Sequence, residues 1–212
     1  MAGVETHGAV LFADLTGYSR VACRLDAMEC VYFANRFFAW FQAEALRRHG
    51  GIVDKYIGDE VMVVFPHSEC SIEPIRAAMR AARSMLGFDF YDYQPKIGVA
   101  TGPFAIALVG TEATHSPSAM GETVNVAARC AATTDSCCVG IATDDRRIVS
   151  EEFDDATWDV TGPHEVELKN MGRRDIVVAR RVTEWIPQFD VLQQVKDAVS
   201  AARRQGYVQT DG

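Results

Sequence analysis

The chain has 212 residues, of which 48% are hydrophobic and 24% are charged, and its formal net charge is −8. This composition is typical of a soluble globular protein, and the length suits one domain with a well-buried core. The acidic balance argues against a nucleic-acid-binding protein, because phosphate backbones favour basic surfaces. No window reaches the ~18 to 20 continuous apolar residues of a membrane span, so we expect none in this chain.

The cysteines and the N-terminal residues indicate the cellular compartment of the protein. Six cysteines are irregularly spaced and form no C-x-x-C pair, which argues against a zinc site or a disulfide framework. The start, "MAGVETHGAVLFAD", lacks the basic region and apolar run of a secretory signal. We therefore expect reduced structural thiols in a cytoplasmic protein.

The first half of the chain alternates strand and helix patterns. "GAVLFADLTG" predicts a strand that ends in a polar loop, and "GIVDKYIGDEVMVVFP" predicts a hairpin closed by a tight Gly-Asp turn. Between them a helical period predicts an amphipathic helix. The residues expected on its buried face are Val31, Ala34, Phe38, Phe41 and Ala45.

The second half continues with a helix, a strand and a second, shorter helix. "IEPIRAAMRAARSMLG" predicts a helix, "KIGVATGPFAIALVG" one or two strands bent at Gly102-Pro103, and "GETVNVAARCAAT" a short helix. Further short strands and a last amphipathic helix follow. The buried faces expected for the first and last of these helices are Ile75, Met79, Ala82 and Leu86, and Val191, Leu192, Val195 and Val199.

This order predicts an α+β fold with a ferredoxin-like split βαββαβ core. Its antiparallel sheet carries the helices on one face, and extra C-terminal strands and a helix follow. We expect one domain over residues 1–185 and a C-terminal helical extension and tail over residues 186–212.

Two carboxylates are expected at one end of this sheet. Asp14 ends the first strand and Asp59 begins the third, and these strands are neighbours in a ferredoxin-like sheet. Paired carboxylates suit Mg²⁺ or Mn²⁺, which leave their other positions to phosphates and water. The alternative is that both are turn residues, since Asp beside Gly is common turn chemistry.

The short helix carries a possible phosphate-binding pair. Asn125 and Arg129 are four residues apart and so share one helix face. The planar fork of an arginine matches phosphate, and an asparagine can orient a sugar. A solvated helix face is the alternative, and Lys55 and Lys169 can equally be solvated strand lysines.

Four motifs together resemble a known family. "FADLTGYS", "KYIGDEVMVVF", "KIGVATGP" and "MGETVNVAAR", in this order and spacing, resemble the catalytic domain of class III nucleotidyl cyclases, the family of most adenylate and guanylate cyclases. The resemblance covers about residues 8–182. It implies that residues 1–185 are a cyclase catalytic domain that converts ATP to 3′,5′-cyclic AMP and pyrophosphate.

The resemblance implies a role for each matching position. Asp14 and Asp59, with the carbonyl of Leu15, would bind two divalent metal ions, Mg²⁺ or Mn²⁺. Lys55 would donate a hydrogen bond to the adenine ring, where guanylate cyclases usually have glutamate. The remaining implied contacts are Asn125 to the ribose, Arg129 to the α-phosphate and Lys169 to the terminal phosphates. The family's Leu-Lys-Gly is Leu-Lys-Asn here.

The second base-reading position departs from the family pattern. It lies three residues before Gly121 and is Ser118, where adenylate cyclases often have Asp, guanylate cyclases Cys and some bacterial members Thr. A hydroxyl can accept from the adenine amino group or donate to the guanine carbonyl. We therefore expect a preference for ATP, mainly through Lys55, with a smaller margin than an aspartate would give.

The resemblance also implies a homodimer with shared active sites, in which one chain supplies the metal-binding carboxylates and the other the nucleotide-binding residues. An upstream sensor domain outside this chain is possible. The alternatives are a guanylate or dual-specificity cyclase and a non-catalytic nucleotide-binding regulatory domain. A diguanylate cyclase is a further rival, but its Gly-Gly-Asp/Glu-Glu-Phe motif is only partly matched by "IGDEV".

Overall fold

The computed structural model describes residues 3–43, 49–87, 95–182 and 191–207. In these ranges the strands are β1 (Gly3–Leu15), β2 (Ile52–Ile57), β3 (Glu60–Pro66), β4 (Pro95–Gly110), β5 (His115–Met120), β6 (Cys138–Ala142), β7 (Trp158–Leu168) and β8 (Gly172–Arg181). The helices are α1 (Tyr18–Ala22), α2 (Ala27–Phe41), α3 (Pro74–Gly87), α4 (Glu122–Thr133), α5 (Arg146–Glu152) and α6 (Val191–Arg204).

The strands form one sheet with the order β2-β3-β1-β4-β6-β8-β7, and β5 pairs with β4. The first four strands in this order pair antiparallel with one another. Together with α2 and α3 they form the predicted βαββαβ core, so the predicted α+β fold is confirmed. The parallel pairing of β4 with β6 lies outside this core.

The sheet buries both of its faces. Alternate residues of β1, such as Leu11, pack with α2 and α3 on one face, as predicted for the core helices. The intervening residues, such as Phe12, pack with α4 on the other, which we call the α4 face. Gly98 of β4 permits this contact, because a Cβ there would lie 2.2 Å from the carbonyl oxygen of Ala127 in α4.

Helix α2 matches the predicted buried face only in part, since Phe41 is buried and Phe38 packs against the core as expected. Its buried aromatic residues are Phe33, Phe37 and Phe41, whereas Val31 is 49% exposed. Ala45 lies outside the described residues. Apolar side chains surround this helix, so several faces fit the period, and the one carrying three phenylalanines at steps of four buries the largest area.

The other local predictions hold. The hairpin of β2 and β3 turns at Gly58, whose φ of 64° favours glycine. The predicted face of α3 is buried, and β4 continues through Gly102, whose φ is 153°. No helix in the described ranges has the length and apolar character needed to cross a membrane.

The C-terminal helix α6 packs onto the core. Val195 is buried in the same cluster as the phenylalanines of α2, and Leu192 packs against that cluster. Val199 is also buried. Arg203 Nη2 lies 2.8 Å from Oδ2 of Asp26, the N-cap residue of α2. The boundary predicted at residues 185 and 186 lies outside the described residues.

Candidate active site

The end of β1 and the β2–β3 turn bring carboxylates together. Asp14 is opposite Glu60 in the β1–β3 register, and strand alternation places both on the α4 face. Asp59 lies in the turn before β3, close enough to Asp14 for the two carboxylates to interact. The structure therefore joins the two predicted metal-binding aspartates and adds Glu60 to them. Leu15, whose carbonyl was the third expected ligand, is the last residue of β1.

These carboxylates strongly influence one another. Burial, and then the charge and hydrogen bond of Asp14, raise the pKa of Asp59 to about 6. Burial, and then the charge of Asp14, raise the pKa of Glu60 to about 7. Lys96 is the compensating cation, with its Nζ 3.0 Å from Asp14 Oδ2. Three acids facing one ammonium leave an excess of negative charge when ionised, which fits a divalent cation.

The donor set is small for a metal site built from protein alone. Across the described ranges, no group of three or more His, Cys, Asp or Glu side chains is arranged to hold a metal ion. Two carboxylates with a backbone carbonyl match the kind of site in which a bound triphosphate and water complete the coordination.

The two predicted base-reading residues touch each other. The ammonium of Lys55 in β2 donates a hydrogen bond to the hydroxyl of Ser118 in β5, 63 positions further along the chain. Ser118 is buried and the Lys55 side chain is 37% exposed, so part of that side chain still faces solvent. Asp54 supports the pair, because its Oδ1 accepts the Ala119 N–H at 2.7 Å.

The predicted phosphate and ribose residues are exposed and available. Asn125 and Arg129 lie on the outer side of α4, and Lys169 lies at the β7–β8 turn. Their side chains form no hydrogen bond or ion pair with another described residue. Asn170 has a φ of 65°, a conformation that favours glycine and that asparagine tolerates well, which accounts for Leu-Lys-Asn in place of Leu-Lys-Gly.

Sequence reasoning missed Lys96, Glu60 and Asp54. Lys96 and Glu60 had a signal, since strand alternation places each beside Asp14 once the pairing is known. Asp54 had none, because its role depends on a β-bulge between β2 and β3.

Comparison with known proteins identifies the family and the fold of the chain. Residues 5–186 match the family model for the adenylate and guanylate cyclase catalytic domain. The chain belongs to this family. It is 31% identical, over 128 residues, to a terminal-differentiation-specific adenylate cyclase of Dictyostelium discoideum. It is 33% identical, over 132 residues, to an uncharacterized protein of Mycobacterium tuberculosis.

These matches cover 57% and 61% of the cyclase chain but only 6% and 24% of the relatives. Solved structures resemble it over more of its length. The adenylyl cyclase CyaB from P. aeruginosa superposes with a TM-score of 0.68 at 18% identity, covering 89% of this chain and 100% of the other. The guanylate cyclase domain of RhGC from Catenaria anguillulae, in complex with GTP, gives 0.66 at 18% identity, with 85% and 99% covered. At these identities the likeness concerns the fold.

Proposed function

We propose that this cyclase domain converts ATP to 3′,5′-cyclic AMP and pyrophosphate. The observation that carries the choice of ATP is the contact between Lys55 and Ser118. A lysine donates to the ring nitrogen N1 of adenine, which in guanine carries a hydrogen and cannot accept. The Ser118 hydroxyl suits either purine, so it supports a preference for ATP and not strict exclusion of GTP.

The carboxylate end would hold the metal ions. Asp14 and Asp59, with the Leu15 carbonyl, are the proposed ligands for two ions of Mg²⁺ or Mn²⁺. When bound, such ions lower the pKa of the ribose 3′-hydroxyl and offset charge on the leaving pyrophosphate. Lys96 would exchange its contact with Asp14 for one with the incoming anion, since it lies at the same carboxylate.

The exposed residues would hold the rest of the nucleotide. Asn125 orients the ribose so that its 3′-oxygen is in line with the α-phosphorus. Arg129 stabilises the charge that develops on the α-phosphate as the new bond forms and pyrophosphate departs. Lys169 contacts the terminal phosphates and compensates their negative charge.

We further propose that a complete site needs two chains. Exposed apolar side chains lie on the β2–β3 hairpin and on the antiparallel β4–β5 pair (Ala105–Met120), which we call the β4–β5 arm. They include Tyr56 and Ile57 on the hairpin, and Leu108 and Met120 on the arm. Such a patch favours a protein partner, and a second copy would bring its carboxylates to the nucleotide-binding residues of the first.

The function is tested by incubating the purified chain with Mn²⁺ and either ATP or GTP and resolving the cyclic products. Cyclic AMP in clear excess is the expected result, and comparable yields would show a dual-specificity cyclase. If a dimeric protein binds ATP without forming product, the domain is a nucleotide-binding regulatory module.

Shared sites are tested by complementation. Asp59→Asn and Arg129→Ala should each be inactive, but a mixture that exchanges chains should regain about a quarter of wild-type activity. The reason is that half the dimers are mixed and each has one intact site. A mixture that stays inactive after proven chain exchange would refute a shared site.

A further inference from the structure

Asp54 has no role in the proposed chemistry, yet its side chain is only 5% exposed. It lies at the irregularity in the β2–β3 pairing, where Val53 is opposite Val63 and Lys55 is opposite Met62. Asp54 is therefore the extra residue of a β-bulge. Bulges redirect side chains, and here both Asp54 and Lys55 reach residues of β5.

The Asp54 carboxylate makes two contacts of different kinds. Oδ1 accepts the Ala119 N–H at 2.7 Å, which fixes β5 next to the bulge. Oδ2 lies 3.2 Å from Nζ of Lys55. Oδ2 is buried and receives no hydrogen bond from a described residue, so this contact is an ion pair without good hydrogen-bond alignment.

The number of N–H groups on Lys55 determines how many hydrogen bonds it can still donate to a ligand. Its ammonium has three N–H groups. One is donated to Ser118, and the charge of Asp54 attracts a second. The third is left for the ring nitrogen of a purine, in a direction set by the other two.

The same carboxylate also biases the choice of base. The edge of adenine presents an amino group, whereas guanine presents a carbonyl oxygen in its place. A buried negative charge behind the ammonium favours the amino group and disfavours the carbonyl oxygen. Asp54 thus supplies part of the discrimination that a serine at position 118 lacks.

We propose that Asp54 is a positioning residue for base recognition, which holds the Lys55 ammonium and the Ser118 backbone in the arrangement that selects adenine. This inference rests on the proposed nucleotide site. It does not depend on turnover, because it concerns how the base is bound.

The test uses ligands that cannot be cyclised. 3′-Deoxy-ATP and 3′-deoxy-GTP lack the attacking hydroxyl, and tripolyphosphate lacks a base. Their dissociation constants are measured by calorimetry with Mn²⁺ for the wild type and for Asp54→Asn, in which the amide still accepts from Ala119. We expect about a 10-fold weaker affinity for 3′-deoxy-ATP, an unchanged or stronger affinity for 3′-deoxy-GTP and a change below about two-fold for tripolyphosphate.

Two controls separate positioning from general damage. Asp159→Asn removes the same charge from an exposed residue of β7 and should change none of the three constants. In a Lys55→Met background, Asp54→Asn should have little further effect, because Asp54 acts through that lysine. If Asp54→Asn does not fold, Asp54→Glu retains the charge but displaces it, and the same selective loss is expected.

Equal weakening of all three ligands by Asp54→Asn would show a purely structural role and overturn the inference. An undiminished effect in the Lys55→Met background would also overturn it. Wild-type protein that binds 3′-deoxy-ATP but forms no cyclic nucleotide would refute the proposed function alone. Wild-type protein that binds neither nucleotide would refute both.

Discussion

Glu60 offers a quantitative test of the electrostatics at the carboxylate end. Burial and the charge of Asp14 raise its pKa from 4.5 to about 7. The folded protein therefore retains a proton that the unfolded chain releases in this window, and stability falls as the pH rises from about 4.5 through 7. Glu60→Gln removes the ionised form, so it should stabilise the protein at pH 8 and have little effect at pH 5.

The difference between 4.5 and about 7 corresponds to roughly 3 kcal/mol if none of the charge is screened. Because Glu60 is only partly buried, we expect roughly 1 to 2 kcal/mol at pH 8. For a domain of this size that is an increase in Tm of roughly 3 to 6 °C.

The assay is thermal unfolding of wild type and Glu60→Gln in buffer with a chelator, because a bound cation would offset the carboxylate charge. Glu167→Gln, at an exposed position of β7, is the matched control and should not change the pH dependence. A Glu60→Gln protein that is equally stabilised at pH 5 and pH 8, or destabilised at pH 8, would show that Glu60 does not carry the buried charge inferred here.

Three further substitutions test other parts of the molecule. Arg129→Ala should lower kcat by about 10² to 10³ with a smaller change in KM, because we propose that its charge acts on the transition state. Equal effects on kcat and KM would contradict this role. Glu152→Ala leaves Arg80 without its carboxylate partner and removes one of the three carboxylates that contact Arg76. It should cost roughly 2 to 3 kcal/mol in urea unfolding, whereas the exposed neighbour Glu151→Ala should cost less than about 1. Gly98→Ala places a Cβ 2.2 Å from backbone atoms of α4, so it should lower the melting temperature. An unchanged melting temperature would show that α4 can move away from the sheet without loss of stability.

The sequence predicts best where local geometry and burial agree. Glycine at position 58 and apolar alternation on both sides define the β2–β3 hairpin, and Ile75 and Met79 lie on the buried face of α3 as expected. The split core follows from the order of these elements, since few topologies accommodate it. The contact between Asp14 and Asp59 then follows from the adjacency of β1 and β3.

Prediction failed where tertiary packing chooses among equivalent patterns. Two apolar stripes of α2 meet at Phe41, one through Phe33 and Phe37 and the other through Val31. Only the volume available beneath the helix selects the first for burial. The contact of Asp54 with Ala119 joins residues 65 positions apart. No local sequence pattern predicts this contact, because the bulge that directs Asp54 toward β5 forms only when β2 and β3 pair.

On the α4 face, contacts between backbone atoms set the distance between helix α4 and the sheet, and therefore the distance between the two parts of the proposed site. Ala127 and Ala131 of α4 lie directly over Gly98, so the helix approaches the sheet closely and little can adjust between them. Asn125 and Arg129 stand on the outer side of that helix, and Asp14 lies on the strand beside Gly98. Any side chain at position 98 would therefore displace Asn125 and Arg129 together, because both residues belong to this helix, and with them the ribose and phosphate contacts that we propose. Small residues at this contact therefore serve the geometry of the proposed site as well as the packing of α4 on the sheet.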